Sequence, residues 1–150
     1  MSVKLRPITA ENWEECVHLE PRPEQRHFVA SNAFSLAQAA YVPDCFPLAI
    51  YDDEVIVGFA MYWHAAGEPF CFINRLMVDA TYQHKGIGRT AMEQLLAQLV
   101  ASPDCQEIGI SYHPENSSAR HLYLNLGFQE TGEMRHGEIV AMLPVVREHN

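Results

Sequence analysis

Along this chain, short stretches of alternating apolar and polar residues give way to runs spaced as on a helix. VKLRPI, from Val3, alternates as a short strand does. In ITAENWEECVHL, which follows, Thr9 stands where it can cap a helix with Trp13, Cys16 and Val17 on one side. PRPEQRHFVASNAFSLAQAAYVP is bounded by prolines, and its Phe28, Val29, Phe34, Leu36 and Ala40 predict one broken helix or two short ones, of the kind that walls a pocket. FPLAIYDDEVIVGFAMYWHA predicts a hairpin: strands over 46–51 and 55–64, turned at Asp52-Asp53-Glu54. In FCFINRLMV, Phe70 to Val78, polar Asn74 and Arg75 interrupt an otherwise buried strand, so something there meets water or a ligand.

The longest periodic run follows YQHKGIG. Ile87, Ala91, Leu95, Leu96, Leu99 and Val100 form one apolar stripe that ends before Ser102-Pro103, the signature of a helix packed on a sheet. EIGISY, Glu107 to Tyr112, predicts the next strand, and NSSARHLYLNLGF a helix stopped by Gly127 in a left-handed cap. Strands over 128–134 and 138–143, turned at His136-Gly137, complete the chain. No internal repeat or low-complexity tract interrupts the order.

Composition narrows the function. A chain of 150 residues suits one domain with its own core. The net charge of -9 argues against attraction to a nucleic-acid backbone or an anionic membrane and favours a cationic partner. The four cysteines, Cys16, Cys45, Cys71 and Cys105, are far apart, and the first residues lack the apolar core of a secretory signal, so a cytoplasmic protein with free thiols is expected. None of the eight histidines pairs with another His or Cys at a zinc-like spacing, so no metal is expected.

The candidate chemistry lies in the loop before the long helix. A strand, a loop with Gly86 and Gly88, and then a helix suit an anion, because the first turn of a helix leaves its N–H groups unbonded and partly positive. A glycine there lets the backbone approach closely or adopt positive φ, although an isolated G-x-G is equally a plain tight turn. Gly86, Gly88 and Ala91 formally match a dinucleotide fingerprint, but several strands precede them and no acidic residue closes the following strand. A Walker loop fails for want of G-K-[ST].

Gln83-His84-Lys85-Gly86-Ile87-Gly88 resembles the Q/R-x-x-G-x-G/A signature of the GNAT N-acetyltransferases, in which this loop holds the pyrophosphate of acetyl-CoA. A strand like FINRLMVD precedes that loop in the family. A second signature resembling Asn116, Ala119, Tyr123 and Gly127-Phe128 follows the next strand, and the likeness extends over nearly the whole chain. The resemblance implies an α/β (α+β) fold over residues 1–150: a mixed, mostly antiparallel sheet of about seven strands, its parallel central pair splayed around acetyl-CoA, with about four flanking helices.

The resemblance also assigns roles. Backbone N–H groups from His84 to Arg89 would bind pyrophosphate, with the Lys85 and Arg89 side chains adding charge or simply meeting solvent. The pantetheine arm would lie between Phe72–Val78 and Ile108–Tyr112, bonded by backbone groups of Leu76 and Val78, and the N–H of Leu76 or Met77 would steady the oxyanion. Asn116 would bond the arm or act as an N-cap. Tyr123 would be the acid beside the departing thiolate. An alkyl amine of pKa about 10 must lose a proton before it attacks. Some branches of the family use a strand glutamate for this, but 70–78 contains no carboxylate, which leaves a water chain or an acid such as Glu20, Glu24 or Glu138.

For the acceptor, PEQRHFVASNAFSLAQA, RLMVDATYQHKGIG and ETGEMRHGEIVAML resemble the bacterial spermine/spermidine acetyltransferase branch. That implies a polyamine in a cleft lined by Glu20, Glu24, Tyr82 and Glu138. An antibiotic, a peptide N-terminus or a lysine stands as the alternative acceptor, and an acetyl-CoA-binding module without turnover as a third reading. The family also includes dimers, so a homodimer is allowed.

Overall fold

The computed structural model describes residues 1–147. Among them, seven strands form one sheet: β1 (Val3–Pro7), β2 (Cys45–Asp52), β3 (Val55–Trp63), β4 (Phe70–Val78), β5 (Glu107–Tyr112), β6 (Gln129–Arg135) and β7 (Glu138–Pro144). Four α-helices accompany them: α1 (Trp13–His18), α2 (Asn32–Tyr41), α3 (Ile87–Val100) and α4 (Ser117–Asn125). A 3-10 turn, Pro23–Phe28, precedes α2, so the proline-bounded segment forms two short pieces.

The strand order is β1-β2-β3-β4-β5-β7-β6, antiparallel except for the central β4–β5 pair. Tight turns join two of the antiparallel pairs, β2–β3 and β6–β7. Asp53 takes φ 53 between the paired Asp52 and Val55, and His136 and Gly137 take φ 52 and 79 in the turn from β6 to β7. The parallel pair needs a crossover, which α3 supplies.

A core lies on each face of the sheet. On one, Ile87, Ala91, Met92, Leu95 and Leu99 of α3 pack with Tyr123, Phe128 and strand residues such as Ile73 and Ile110. On the other, Cys16, Ala49, Phe59, Met61 and Met77 meet Leu36 and Ala39 of α2. The α3 stripe thus includes Met92, which is fully buried, whereas the expected Val100 is exposed at its last turn. Near the N-terminus, Asn12 rather than Thr9 stands at the N-cap of α1, and its Oδ1 accepts from the Thr9 N–H at 2.7 Å. Trp13, expected to face inward, is half exposed, and so is Phe34 on α2.

Candidate active site

β4 and β5 part company at the middle of the sheet. Their pairing runs from Phe70↔Glu107 to Ile73↔Ile110 and stops, although both strands continue. At the same point β4 holds one extra residue: Ile73 pairs with Tyr62 and Arg75 with the adjacent Met61, so Asn74 is a β-bulge. The bulge swaps the faces of the strand. Cys71 and Ile73 before it, and Leu76 and Val78 after it, belong to the α3-side core, while Met77 belongs to the α2-side core.

Beside this bulge lies a cleft of about 610 Å³ between the strands. Ladder alternation determines which backbone groups face it. The Asp79 N–H donates to Val57 O at 2.8 Å, so Asp79, Met77 and Arg75 point their backbone groups at β3, and Leu76 and Val78 point theirs into the opening. Of the two N–H groups expected near the oxyanion, the Leu76 N–H therefore faces the cleft and the Met77 N–H faces β3. The Val78 carbonyl accepts from Gln83 Nε2 at 3.0 Å, and the same nitrogen reaches Gln25 Oε1 at 2.7 Å. The Gln83 side chain is thus a strut between the glycine loop and the 3-10 turn.

At the inner end of the loop α3 starts at Ile87, with Gly86 as N-cap at φ 80, so Gly88 lies within the first helical turn. His84 is also left-handed, at φ 64. The first helical bond is Thr90 N–H to Gly86 O, and no acceptor among the described residues takes the N–H groups of Ile87, Gly88 or Arg89. Three amides at the positive end of α3 therefore stand open beside the cleft, which His84, Gly86, Ile87 and Gly88 line. Lys85 and Arg89 lie outside it. Lys85 Nζ sits 5.7 Å over the Tyr82 ring, and Arg89 pairs with Glu93 at 3.0 Å.

Tyr123, Asn116 and Glu138 all reach the cleft from the far side, and Tyr82 joins them from the loop. Tyr123 is 6% exposed, packed against Tyr112 and Phe128 at ring separations of 5.5 and 6.0 Å. Burial raises its phenol well above the ordinary range, and the neighbouring Tyr112 and Glu138 add to the effect, so it keeps its proton. Asn116 caps α4, its Oδ1 accepting the Ala119 N–H at 3.3 Å, which leaves Nδ2 for a ligand. Glu138 accepts from Ser111 Oγ at 3.2 Å.

Glu20 and Glu24 do not line the cleft. Glu20 pairs with Arg26 at 3.0 Å, and Glu24 sits exposed in the first turn of the 3-10 segment. No cysteine lines the cleft either. All four are buried, and burial pushes the Cys16 thiol up to about 11, so none is a ready nucleophile.

Two cleft residues had only a general signal in the sequence, the polar interruption of a buried strand. Asn74 Oδ1 is the single buried side-chain oxygen or nitrogen among the described residues that lacks a hydrogen-bond partner, and it lies in the cleft wall. An orphaned acceptor at such a place suits a ligand N–H. Arg75 is fixed by Ser35 Oγ at 3.1 Å and Gln38 Oε1 at 2.9 Å, with no carboxylate of the described residues within 4.0 Å. Desolvation lowers its pKa, against the pull of Glu138.

A splayed parallel pair, open helix-start amides and a buried phenol meet in one cleft, an arrangement suited to an extended ligand that carries an anionic group. Residues 5–128 match the model of the Acetyltransferase (GNAT) family, and the chain belongs to that family as an N-acetyltransferase. It is 28% identical over 142 residues to the spermine/spermidine N(1)-acetyltransferase of Bacillus subtilis, covering 89% of this chain and 92% of that protein. Its fold is similar to that of spermidine N-acetyltransferase from Vibrio cholerae, solved with CoA and spermine (TM-score 0.76, 15% identity, 95% of each chain). It is equally similar to the ribosomal-protein-S18-alanine N-acetyltransferase of Escherichia coli (TM-score 0.76, 18% identity, 99% and 97% of the chains). Among the described residues, no helix is long and apolar enough to cross a membrane.

Proposed function

We propose that this chain acetylates a primary amine of a polyamine such as spermidine or spermine, by direct attack on the thioester of acetyl-CoA. Acetyl-CoA supplies the activated acyl group and a thiolate leaving group. The residues present fit it: the open amides of Ile87, Gly88 and Arg89 suit the pyrophosphate, and the free edge of β4 suits the amide-bearing arm. The Leu76 N–H serves the developing oxyanion, and Asn116 Nδ2 bonds the arm. As the C–N bond forms and the C–S bond breaks, Tyr123 gives its proton to the sulfur. The acceptor nitrogen sheds its proton toward Glu138, directly or through water.

One observation carries this reading. Beside the bulge at Asn74, β4 parts from β5 in the same cleft that holds the uncapped amides and the protonated Tyr123. For a polyamine, support comes from the Bacillus relative, from Glu138, and from the Asn74 Oδ1, which an ammonium N–H satisfies. Glu20 and Glu24 do not line the cleft, so the acidic contribution reduces to Glu138, with Tyr82 in the wall on the loop side.

A second reading rests on Arg75. A fixed guanidinium without a carboxylate partner, in the wall of the cleft, favours an acceptor whose amine stands near an anionic or carbonyl group, as at a peptide N-terminus. CoA release measured across spermine, spermidine, putrescine and N-terminal peptides decides between them. Saturable release with polyamines is expected. Release with peptides alone would transfer the assignment to the second reading, and no release with any amine would remove both.

A further inference from the structure

The fold gathers histidines that lie far apart in sequence. His27 lies in the last turn of the 3-10 segment, while His113 and Glu115 lie in the loop from β5 to α4, yet one ligand atom of each falls within 4.8 Å of the other two. We propose that His27, His113 and Glu115 form a binding site for a divalent transition ion of the zinc type at the rim of the cleft.

The geometry is close to what such an ion needs. Three atoms no more than 4.8 Å apart have a common point within about 2.8 Å of each, since 4.8/√3 ≈ 2.8. Zinc binds histidine nitrogen and carboxylate oxygen at about 2.0–2.2 Å, so each side chain must close by at most about 0.6–0.8 Å. His27 and Glu115 have that freedom, with side chains 56% and 77% exposed, and they already approach to 4.0 Å. His27 and His113 meet edge to face, ring centroids 5.3 Å apart, and Phe28 packs against both.

His113 Nδ1 accepts the Glu115 N–H at 3.1 Å, which holds the ring beside the carboxylate. Ligation by either ring nitrogen gives up that bond, a modest loss against three coordinate bonds. Two imidazoles and one carboxylate are a borderline donor set that suits zinc, cobalt or nickel over magnesium or calcium, and they leave a fourth position for water.

Occupancy would tie together two segments that frame the cleft. His27 lines it directly, and Glu115 adjoins Asn116, which lines it and caps α4. Metal binding and coenzyme entry therefore meet at one rim, and the ion acts as a clasp on it.

The test uses the full chain, stripped with a chelator and titrated with Co²⁺ while visible absorbance is recorded. One saturating equivalent with a ligand-field band, displaced by Zn²⁺, is expected, and the band should vanish in His27→Ala and in His113→Ala. His64→Ala, altered just after β3 at the opposite end of the sheet from His113, should keep it. Circular dichroism and a coenzyme titration confirm that each variant is folded. The absence of a saturable band, or a band unchanged in the first two variants, overturns the site.

Discussion

Replacing Gly86 with valine should remove either stability or coenzyme affinity. Gly86 sits at φ 80, and a Cβ built there meets nothing within 4 Å of the protein. The cost within the protein is therefore chiefly conformational. Holding an L-residue in the left-handed region costs about 1–2 kcal/mol, more when it is β-branched. If the backbone stays, the fold bears this cost, and Tm falls by about 2–4 °C per kcal/mol for a chain of this size. If the backbone relaxes, the N–H groups of Ile87 and Gly88 turn away from the pyrophosphate. Each such bond to a charged group contributes about 1.5–3 kcal/mol, so losing even one weakens binding at least tenfold. Calorimetric titration with acetyl-CoA and a thermal melt, run on wild type, Gly86→Asn, Gly86→Ala and Gly86→Val, separate the two routes. Asparagine, which tolerates this conformation, should be mildest and valine worst. Wild-type values of both Kd and Tm in Gly86→Val would refute the role of the loop.

Tyr123→Phe should lower kcat by roughly 10²–10⁴-fold with acetyl-CoA affinity nearly unchanged, because only the proton donor is lost. Since burial raises the phenol above its ordinary value, Tyr123 remains protonated as pH climbs through the normal tyrosine range; a loss of activity there in wild type but not in a slow Tyr123→Phe would mean that the phenol titrates at its ordinary value, against the effect of burial. Glu138→Gln should raise KM for spermidine by about tenfold, the scale of one charge-assisted contact, without changing acetyl-CoA Kd in calorimetry. An unchanged KM would remove Glu138 from acceptor binding.

Where side-chain periodicity governs the outcome, the sequence predicts it. The FCFINRLMV and EIGISY segments become β4 and β5 with the bounds read from their patterns, and the glycine loop leads into α3. The errors fall where tertiary contacts outweigh local preference. Thr9 loses the cap to Asn12, whose amide also reaches Pro7 O and the Tyr51 hydroxyl, partners that no local pattern reveals. Glu20 and Glu24 have the right charge for a polyamine, but neither lines the cleft: Glu20, ahead of the 3-10 turn, pairs with Arg26, and Glu24 is exposed in the first turn of that segment. The polar break at Asn74 and Arg75 was visible as a break, yet its meaning depends on pairing with β3 and β5, and pairing is a property of the sheet. His27 and His113 likewise meet only in the folded chain, since spacing along the sequence says nothing about loops that the fold brings side by side.

The bulge separates folding from function in a way that a single deletion can test. Ile73 faces the α3 side, Arg75 the α2 side and Leu76 the α3 side again, so removing Asn74 leaves every other residue of β4 on its present face. The deletion restores strict alternation and takes away an orphaned buried oxygen, whose desolvation costs about 1–3 kcal/mol. Stability should therefore hold or rise. The regularised strand can then continue its ladder with β5 beyond Ile73↔Ile110, and each new pair closes the space in which the coenzyme arm would lie. A chain lacking Asn74 should melt no lower than wild type and bind acetyl-CoA at least a hundredfold more weakly, about 2.7 kcal/mol or more. The two readings are a thermal melt and a calorimetric titration on the same preparation. Wild-type affinity would mean that the opening does not depend on the extra residue, and an unfolded chain would mean that the bulge holds the sheet together.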